Sequence, residues 1–510
     1  MLAYAPVRTF RLFLFAFFLF AFCSSAWPQK NRVVTDTGEK KAARYFESIR
    51  RQPLLLHAFL QQMPKGADLH NHLSGAVYAE SYVKWAAQDG LCIDRNTLSF
   101  SGPPCDQKDK PPASSAFLDS ALYARVLDAL SMRQFNRGGE SGHDHFFATF
   151  SKFGAATNHH TPEMLAEVRS RAAQGHLLYM ELMFNPDGGA AARLGASLGW
   201  NDDLSKMRDK LLSGGLSQIV GDASKFLDET EKTENEEMRC GQSQADPGCA
   251  VQARYLYQVA RGLPKEMVFA QILAGFEMAA KDHRIVGLNL VMPEDNYLSI
   301  HDFNLHMQML DFLHSIYPNM HITLHAGELT QQLVPPEELF HVRASVERGH
   351  AERIGHGVDV MQENDPIELL KKMAAKGILV EICLTSNDVI LEVTGSQHPL
   401  PMYLKFGVPV TLATDDPGVS RGDITQEYER AAETYNLGYL ELKKFARASL
   451  AYSFLPGERL WQAGKSSVCG QEKPLSGKVS AGCARLLSAS EKARMQWELE
   501  KAFAAFESKF

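Results

Sequence analysis

Histidines and carboxylates with the chemistry of a metal site lie at the ends of short apolar runs that are far apart in the chain. They are His70, His72, His325, Glu328, His356, Asp415 and Asp416. Three neutral imidazoles and one carboxylate suit a zinc-type ion that keeps one coordination position open for water. A further histidine and further carboxylates beside such an ion can act as acid–base groups. These residue types therefore predict a metal-dependent hydrolase.

The first three histidines have the spacing of metal ligands on strands. His70 and His72 stand two residues apart in ADLHNH, and His325 follows an apolar start in HITLHAG. Because side chains on a strand repeat every two residues, His70 and His72 would point the same way and chelate one ion. Glu328 can protonate a substrate nitrogen if burial raises its pKa. The alternative for Glu328 is an acid at the start of a helix.

His356 and the two adjacent aspartates complete the predicted site. His356 lies between two glycines in RIGHG, which let a ligand approach the backbone closely. It could be a metal ligand or a group that orients the activated water. Asp415 and Asp416 are neighbouring carboxylates after an apolar run, and such carboxylates repel each other unless a cation neutralises them. One of them as metal ligand and the other as substrate acceptor resolves this repulsion.

Four other patterns carry similar residues in the wrong setting. Residues 143–145 and 159–160 contain histidines in helix-like or loop surroundings, which indicates surface or packing positions. Residues 195–199, GASLG, match a nucleophile elbow but lack the strand–turn–helix setting. Residues 350–352 match the H-x-E of one class of zinc enzyme, but no P-C-x-x-C follows. None of the four predicts a second catalytic centre.

Strand-like runs alternate with helical patterns along the chain. The runs are 67–72, 176–184, 267–276, 285–292, 321–327, 353–357, 378–384 and 409–415. Several are continuously apolar, as parallel strands covered on both faces are. Residues 303–317 and 365–377 have helical patterns, and Gly377 is a helix stop. Eight alternations predict an α/β protein with a (β/α)8 TIM barrel, in which the chemical residues fall at the C-terminal strand ends where barrel active sites are built.

The predicted organisation has four parts. They are a signal peptide (1–26), an N-terminal helical segment (27–62), the barrel (63–460) with insertions at about 85–145 and 185–262, and a C-terminal disulfide loop and helix (461–510). Ser488 and Glu491 have capping-box spacing at the start of the last helix.

The first residues are typical of export. Arg8 and Arg11 precede an apolar run at 12–22, and Ser24 and Ala26 are small, so cleavage is expected after Ala26. A membrane anchor is an alternative, although a span needs about 20 apolar residues. A lipid-modified Cys23 is another alternative, which bulky Phe22 weakens. The chain is therefore predicted to be secreted or periplasmic.

Cysteine usage agrees with an oxidising compartment. Of eight cysteines, Cys23 leaves with the signal peptide and Cys383 lies in an apolar strand as a small buried residue. The others form local pairs that predict disulfides, with other pairings open. The pairs are Cys92 with Cys105, Cys240 with Cys249 and Cys469 with Cys483. The net charge of −7 argues against nucleic acid or an anionic membrane as the main partner.

Five ordered motifs resemble one known family. MPKGADLHNHLSGA, HAGE, RIGHG, EICLTSN and TDDPG, from about residue 63 to 460, look like the adenosine deaminase branch of the amidohydrolase superfamily. The signal peptide, the cysteine-bearing insertion after the first strand and the extra N-terminal segment are similar to the secreted branch, the adenosine deaminase-related growth factors. These secreted relatives suggest a homodimer through the N-terminal segment.

The resemblance implies a role for each motif residue. It implies one Zn2+ per chain on His70, His72, His325 and Asp415. Glu328 would give a proton to purine N1, His356 would orient the activated hydroxide and take its proton, and Asp416 would hold N7. The implied reaction is the hydrolytic deamination of adenosine, and of 2′-deoxyadenosine, to inosine and ammonia. The implied partner is a small purine nucleoside, with no nucleic acid and no membrane after signal cleavage.

Three departures from the family pattern loosen the expected substrate. Ser74 replaces an aspartate that reaches the ribose, Met292 replaces a glycine whose amide meets purine N3, and Leu384 replaces a proline. Glu294 nearby fits the family pattern of substrate-binding residues. The alternative enzyme is an amidohydrolase for another aminopurine or a modified adenosine. A barrel that binds or signals without chemistry is disfavoured, because every inferred ligand and proton-transfer residue is present.

Overall fold

The computed structural model describes residues 37–510 apart from residues 107, 137, 462–467 and 471. The predicted signal peptide and residues 27–36 of the predicted N-terminal segment lie outside the described residues. Within the described part, none of the helices combines the length and the apolar character that a membrane crossing requires.

Parallel strands form a barrel at the centre of the described residues. The strands, in chain order, are β1 (Gly66–His72), β2 (Cys92–Ile93), β3 (Phe100–Ser101), β4 (Leu177–Phe184), β5 (Gln252–Ala260), β6 (Ile285–Val291), β7 (Thr323–Ala326), β8 (Arg353–His356), β9 (Leu379–Ile382) and β10 (Val410–Leu412). One parallel sheet has the order β1-β4-β5-β6 and another has the order β10-β9-β8-β7. Single parallel bridges, Asn71–Asp415 and Leu288–Ile322, join the two sheets. The (β/α)8 barrel prediction is confirmed, and β2 and β3 form a small antiparallel pair outside the barrel.

Helices surround the barrel and fill its insertions. Those before β4 are α1 (Gly38–Ile49), α2 (Pro53–Gln62), α3 (Leu73–Ala76), α4 (Ala79–Gln88), α5 (Ser120–Ala129), α6 (Gly142–Phe153) and α7 (Thr161–Gln174). Those between β4 and β8 are α8 (Ala190–Leu198), α9 (Leu204–Leu211), α10 (Ser217–Glu237), α11 (Lys265–Ala279), α12 (Tyr297–His301), α13 (Phe303–Ile316) and α14 (His341–Glu347). The remainder are α15 (Pro366–Lys376), α16 (Leu384–Leu391), α17 (Leu400–Phe406), α18 (Pro417–Ser420), α19 (Ile424–Thr434), α20 (Tyr439–Ala451), α21 (Ala481–Ala489) and α22 (Glu491–Glu507).

Most of the barrel strands are buried over nearly their whole length, as continuously apolar parallel strands should be, whereas β5 has several partly exposed residues. Every residue of β1 and of β6 is buried. Polar side chains such as Asn289 in β6 and Glu381 in β9 therefore lie inside the barrel, where each requires a hydrogen-bond partner. These partners define the site described below.

One predicted strand is wrong. Residues 267–276 belong to helix α11, and the third barrel strand is β5, which begins at Gln252 inside the predicted insertion 185–262. Every residue of helix α11 from Val268 to Met278 is buried, so the helix is covered on all sides. A short apolar run of this kind does not differ in periodicity from a buried strand. The insertion consequently ends before residue 252.

Helix ends follow local chemistry in two instructive places. Helix α15 ends at Gly377 with φ of 68°, which confirms the predicted stop. The predicted capping box at Ser488 is wrong, because α21 continues to Ala489. Ser490 instead caps α22, and its side chain accepts a hydrogen bond from the Ala493 N–H.

Among the described residues there are three disulfides, each closing a short loop. They join Cys92 to Cys105, Cys240 to Cys249 and Cys469 to Cys483, with Cα–Cα separations of 5.4, 5.5 and 4.9 Å. Cys383 is free and buried. The first two disulfides lie in the connections after β1 and β4, and the third lies between α20 and α22.

Candidate active site

Four side chains from three strand ends converge at the C-terminal end of the barrel. His70 and His72 come from β1, His325 comes from β7, and Asp415 follows β10; their ligand atoms all lie within 4.8 Å of one another. The Nε2 atom of His325 is 3.0 Å from that of His70 and 3.1 Å from that of His72. Asp415 Oδ1 is 3.3 Å from both His70 Nε2 and His72 Nε2. Tetrahedral zinc ligands stand about 3.3 Å apart, so the separations suit one such ion.

Each of the three imidazoles points its Nε2 atom at the other proposed ligands and is held in this orientation by a hydrogen bond at its Nδ1 atom. Each Nδ1 atom faces a side-chain oxygen, which fixes the ring and leaves the Nε2 lone pair for a metal. The acceptors are Glu381 Oε2 at 2.7 Å from His70, Gln258 Oε1 at 3.2 Å from His72 and Asn289 Oδ1 at 2.9 Å from His325. Asn289 Oδ1 also accepts the backbone N–H of His325, so the orientation of this amide is determined. Facing lone pairs need a cation between them, and the residues fit a divalent metal ion.

The charges around the site also favour a bound metal ion. Burial alone would lower the pKa of His70, but its interactions with the Asp415 and Glu381 carboxylates raise this pKa to about 10. Burial alone would raise the pKa of Asp415, yet the His70 and His72 imidazoles, whose Nε2 atoms stand 3.3 Å from its Oδ1, hold this pKa well below the usual value. Ser386 Oγ donates to Asp415 Oδ2 at 2.6 Å. The site therefore favours a positive charge at its centre.

Asp415 reaches the site because the backbone closes the barrel beside it. The Asp415 N–H donates to the His70 carbonyl, and the His72 N–H donates to the Asp415 carbonyl, both at 2.9 Å. Asp415 has φ of 61°, His356 has φ of 67° and Met292 has φ of 87°. Left-handed backbone is costly for residues other than glycine, and it clusters at functional sites. Three strand ends carry this strain around one centre.

Glu328 lies beside the proposed ligands, in surroundings that favour the protonated form of its carboxyl group. Its side chain is nearly buried, and its Oε1 atom is 3.5 Å from His356 Nδ1. Burial raises the pKa of Glu328 well above its usual value, and the charges of Asp415 and Glu294 add to the effect. A carboxyl group that stays protonated near neutral pH can donate a proton to a substrate.

Glu294 supports the loop of Glu328 and does not line the cavity, although the sequence predicts a substrate contact. Its oxygens accept hydrogen bonds from the Gly327 N–H at 3.1 Å and the Glu328 N–H at 2.8 Å. His341 Nδ1 lies 2.6 Å from the same carboxylate. Burial acts in the opposite direction, but Arg261 and His341 lower the pKa of Glu294 to about 2. A permanent carboxylate thus fixes the peptide that carries the acid.

A chain of hydrogen bonds fixes the tautomer of His356. The Leu400 N–H donates to His398 Nδ1 at 3.1 Å, so His398 Nε2 carries a hydrogen and donates to Asn387 Oδ1 at 3.1 Å. The Asn387 amide nitrogen must then donate to His356 Nδ1, at 2.9 Å. The remaining hydrogen of a neutral His356 lies on Nε2, which has no hydrogen-bond partner among the described residues. Burial lowers the pKa of His356 to about 3, so the ring stays neutral.

The cavity above these residues has a volume of about 400 Å³. Its polar floor includes His72, Glu328 and Asp416, and Ser74 lies at its side. Its apolar wall consists of Phe146, Phe147 and Phe150 from α6, together with Val291, Met292 and Ile390. No lysine or arginine of the described residues lines it.

Asp416 stands against the first strand–helix turn. Its Oδ1 atom is buried without a hydrogen-bond partner among the described residues. A Cβ atom on Gly75 would stand 1.5 Å from this oxygen, so only glycine fits there. Burial and the neighbouring Asp415 raise the pKa of Asp416 well above its usual value. Asp415 Oδ1, Glu328 Oε1 and His356 Nε2 are likewise buried and unpartnered in the described part of the chain, which is typical of a ligand site.

Sequence reasoning missed the supporting residues of this site. Gln258, Asn289 and Glu381 orient the imidazoles, Ser386 holds Asp415, and Asn387 holds His356. The available signal was a lone polar residue in an apolar strand, as Asn289 in IVGLNLV and Glu381 in ILVEICL. The histidines at 143–145 lie away from the cavity floor; His143 Nε2 is 3.0 Å from Asp295 Oδ1 and connects α6 to the loop after β6.

A parallel (β/α)8 barrel with three histidines and an aspartate at its C-terminal strand ends has the architecture of the amidohydrolase superfamily. A model of the adenosine deaminase family matches residues 155–462, so the chain belongs to that family.

Individual relatives differ in the activities for which they are named. An adenosine deaminase of Pectobacterium atrosepticum is 38% identical over 173 residues, which are 34% of this chain and 47% of the relative. The chain thus spans about half the length of this relative. An adenine deaminase of Sinorhizobium medicae is 24% identical over 393 residues, which are 77% of this chain and 94% of the relative.

Solved structures share the barrel. The crystal structure of Arabidopsis ADAL complexed with IMP has a TM-score of 0.52 and 20% identity, and the match covers 78% of this chain and 93% of that chain. At this identity the likeness shows the fold alone.

Proposed function

We propose that this protein is a metal-dependent hydrolase that removes the 6-amino group of adenosine, and of 2′-deoxyadenosine, to give inosine and ammonia. The observation that carries the proposal is the cluster of buried, unpartnered polar atoms around one cavity. These atoms belong to Asp415, Glu328, His356 and Asp416. They adjoin a ligand set that fits a divalent cation.

Each residue has a task that its position supports. His70, His72, His325 and Asp415 would hold a zinc-type ion, which would supply Lewis acidity and make water nucleophilic at neutral pH. Glu328 gives a proton to the ring nitrogen next to the reacting carbon, which weakens the aromaticity of the ring. His356, neutral and with its hydrogen on Nε2, orients the attacking oxygen. The oxygen of the attacking water bonds to C6, one of its two protons passes to the amino nitrogen, and the other returns to the Glu328 carboxylate. The bond from C6 to the amino nitrogen breaks, ammonia leaves, and the proton given by Glu328 stays on the ring nitrogen of inosine.

The cavity favours an uncharged substrate over a 5′-nucleotide. Asp416 and Glu328 are acidic, and no cationic residue of the described chain lines the cavity to bind a phosphate. In its protonated form Asp416 can donate a hydrogen bond to purine N7. The apolar wall from α6 can cover the base or the sugar.

A second candidate is deamination of another aminopurine such as adenine. The adenine deaminase of Sinorhizobium medicae is matched over 94% of its length. Met292 and Ser74 line the cavity where the family pattern has glycine and aspartate, so a ribose contact is missing.

A substrate panel separates these candidates. Purified protein, as isolated and after chelator treatment, is incubated with adenosine, 2′-deoxyadenosine, adenine and AMP while the ultraviolet absorbance is followed. We expect turnover of adenosine that chelator removes and added Zn2+ restores. Preference for adenine would support the second candidate, and no turnover of any of the four with metal bound would contradict both.

Export is part of the proposal. The three disulfides fit an oxidising compartment outside the cytoplasm. Cell fractionation followed by N-terminal analysis of the mature protein tests cleavage after Ala26 and separates periplasm from medium. The homodimer stays a prediction that light scattering would check.

A further inference from the structure

Met292 has a backbone conformation that its side chain does not favour. It follows β6, lines the cavity and has φ of 87°. Residues other than glycine adopt such values only where their surroundings impose them. The Met292 side chain packs against Gly262, where a Cβ atom would stand 3.0 Å from Met292 Cε.

Arg261 binds the carbonyl group of Met292. Its Nε and Nη2 atoms both donate to the Met292 carbonyl at 3.3 Å, and its Nη1 atom donates to the His325 carbonyl at 3.0 Å. The guanidinium is fully buried, and Nη2 lies 3.9 Å from Glu294. A planar guanidinium can bind two carbonyls at a fixed separation, and a lysine ammonium cannot reproduce this geometry.

These contacts leave one donor without a partner. The Met292 carbonyl is bound by Arg261, and no acceptor in the described residues receives the Met292 N–H. Since Met292 lines the cavity, this N–H can meet an acceptor nitrogen of a bound purine. The same guanidinium holds the backbone of His325, one of the proposed metal ligands.

We propose that Arg261 is a positioning residue that keeps the Met292 peptide in its left-handed conformation and sets its distance from the metal-binding His325. This inference rests on the proposed deaminase function. It adds that substrate binding depends on a residue that touches neither the substrate nor the metal.

A kinetic double-mutant cycle tests the coupling. In the metal-loaded enzyme, Arg261→Lys should raise KM at least tenfold and change kcat less. The reason is that the contact between the Met292 N–H and the purine ring serves substrate binding and not the chemical step. Glycine adopts φ of 87° without strain. In the Met292→Gly background, Arg261→Lys should therefore raise KM by no more than about threefold.

Arg353 provides the matched control. It is as deeply buried as Arg261, but its Nη2 and Nε donate to Glu181 and Glu381, both at 2.6 Å. Arg353→Lys should show the same effect with and without Met292→Gly. Equal KM increases for Arg261→Lys in both backgrounds would overturn the proposal. It would also be overturned if Arg261→Lys raised KM and lowered kcat and metal affinity by the same factor, and Met292→Gly restored none of the three.

A stability cycle keeps the test independent of the proposed function. Urea midpoints of the four metal-loaded proteins are compared, and Arg261→Lys should lower the midpoint more with Met292 than in the Met292→Gly background. Additive midpoints would show that Arg261 does not support the strained peptide. If the wild type deaminates no aminopurine, the proposed function fails, and this cycle still decides whether Arg261 holds Met292.

Discussion

At the scale of single residues, the proposed mechanism takes the proton for the ring nitrogen from Glu328. Glu328→Gln keeps the size of the side chain but removes the acidic hydrogen. We expect kcat to fall by about 10² to 10⁴, as is typical when a general acid is lost, with little change in KM. Initial rates on adenosine and the bound metal per chain, measured by atomic emission, check this.

The matched control is Glu427→Gln. Glu427 is also buried with a raised pKa, but it accepts hydrogen bonds from the Thr385 N–H and does not line the cavity. This variant should keep kcat within about threefold of wild type. Glu328→Gln with near-normal kcat would remove Glu328 from the mechanism.

The metal affinity depends on a residue that does not touch the metal. Glu381 accepts from His70 Nδ1 and from Arg353 Nε, and replacing it with glutamine weakens the acceptor that orients His70. We expect Glu381→Gln to weaken metal binding by about 10- to 100-fold. Competition with a fluorescent chelator measures the dissociation constant.

Glu181 distinguishes orientation of His70 from general support of the barrel interior. It binds Arg353 from the other side and the Phe454 N–H, without contact to His70. Glu181→Gln should lower stability and leave the metal dissociation constant unchanged. An equal loss of affinity in both variants would show that Glu381 has no specific role in metal binding.

The contrast between these residues shows what the sequence could reveal about the site. His70, His72, His325 and Asp415 were predictable because metal-binding residue types at strand ends are distinctive. Their partners were not, because a hydrogen bond from β9 to β1 depends on which strands become neighbours. The sequence predicts a substrate contact for Glu294, because the position of this residue in its motif does not reveal that its oxygens face backbone N–H groups.

At the scale of elements, helix α6 forms the apolar wall of the cavity. Phe150→Ala removes part of that wall. Because only part of one phenyl surface faces a ligand, we expect a loss of about 1 kcal/mol in binding, roughly fivefold in KM, with kcat little changed. Phe117→Ala, an exposed phenylalanine outside the cavity, is the control. Equal KM values for Phe150→Ala and wild type would place the substrate away from α6.

The prediction of helices and strands succeeded where a glycine marks the end of a helix and failed where a helix is buried on all sides. Gly377 ended α15 as expected because a left-handed residue terminates a helix. Residues 267–276 are apolar apart from Gln271, so their periodicity does not distinguish a helix from a strand, and only the pairing of β5 with β4 and β6 reveals the true strand. The sequence predicts the first insertion, at about 85–145. It does not place α6 at the cavity wall, because that placement depends on the path of the chain through the insertion.

At the scale of the whole molecule, stability should depend on pH through Glu427. Burial raises its pKa to about 7, above the value near 4.3 expected in the unfolded chain. The folded state therefore binds the proton more tightly, and this contribution is present below about pH 4 and is lost as pH rises through 7. At 1.36 kcal/mol per pKa unit, the difference between the two pKa values corresponds to roughly 4 kcal/mol over the whole pH range.

Glu427→Gln removes this dependence. Relative to wild type, the variant should gain about 3 kcal/mol of unfolding free energy between pH 4.5 and pH 8, because the buried charge never forms. Urea unfolding at four pH values within this range measures the difference. Parallel curves for the two proteins would show that Glu427 does not titrate with folding.

Metal binding should stabilise the entire barrel, because the ligand set joins its two sheets across one of the two seams between them. β1 and β10 belong to different sheets, which meet there through the single bridge Asn71–Asp415, and the proposed ligands come from both sides. Free Zn2+ at a thousand times its dissociation constant should add about 4 kcal/mol to the unfolding free energy of chelator-treated protein. His325→Asn should abolish this gain, whereas the exposed His321→Asn should keep it. An unchanged urea midpoint on adding Zn2+ to the wild type would contradict a metal site at the seam.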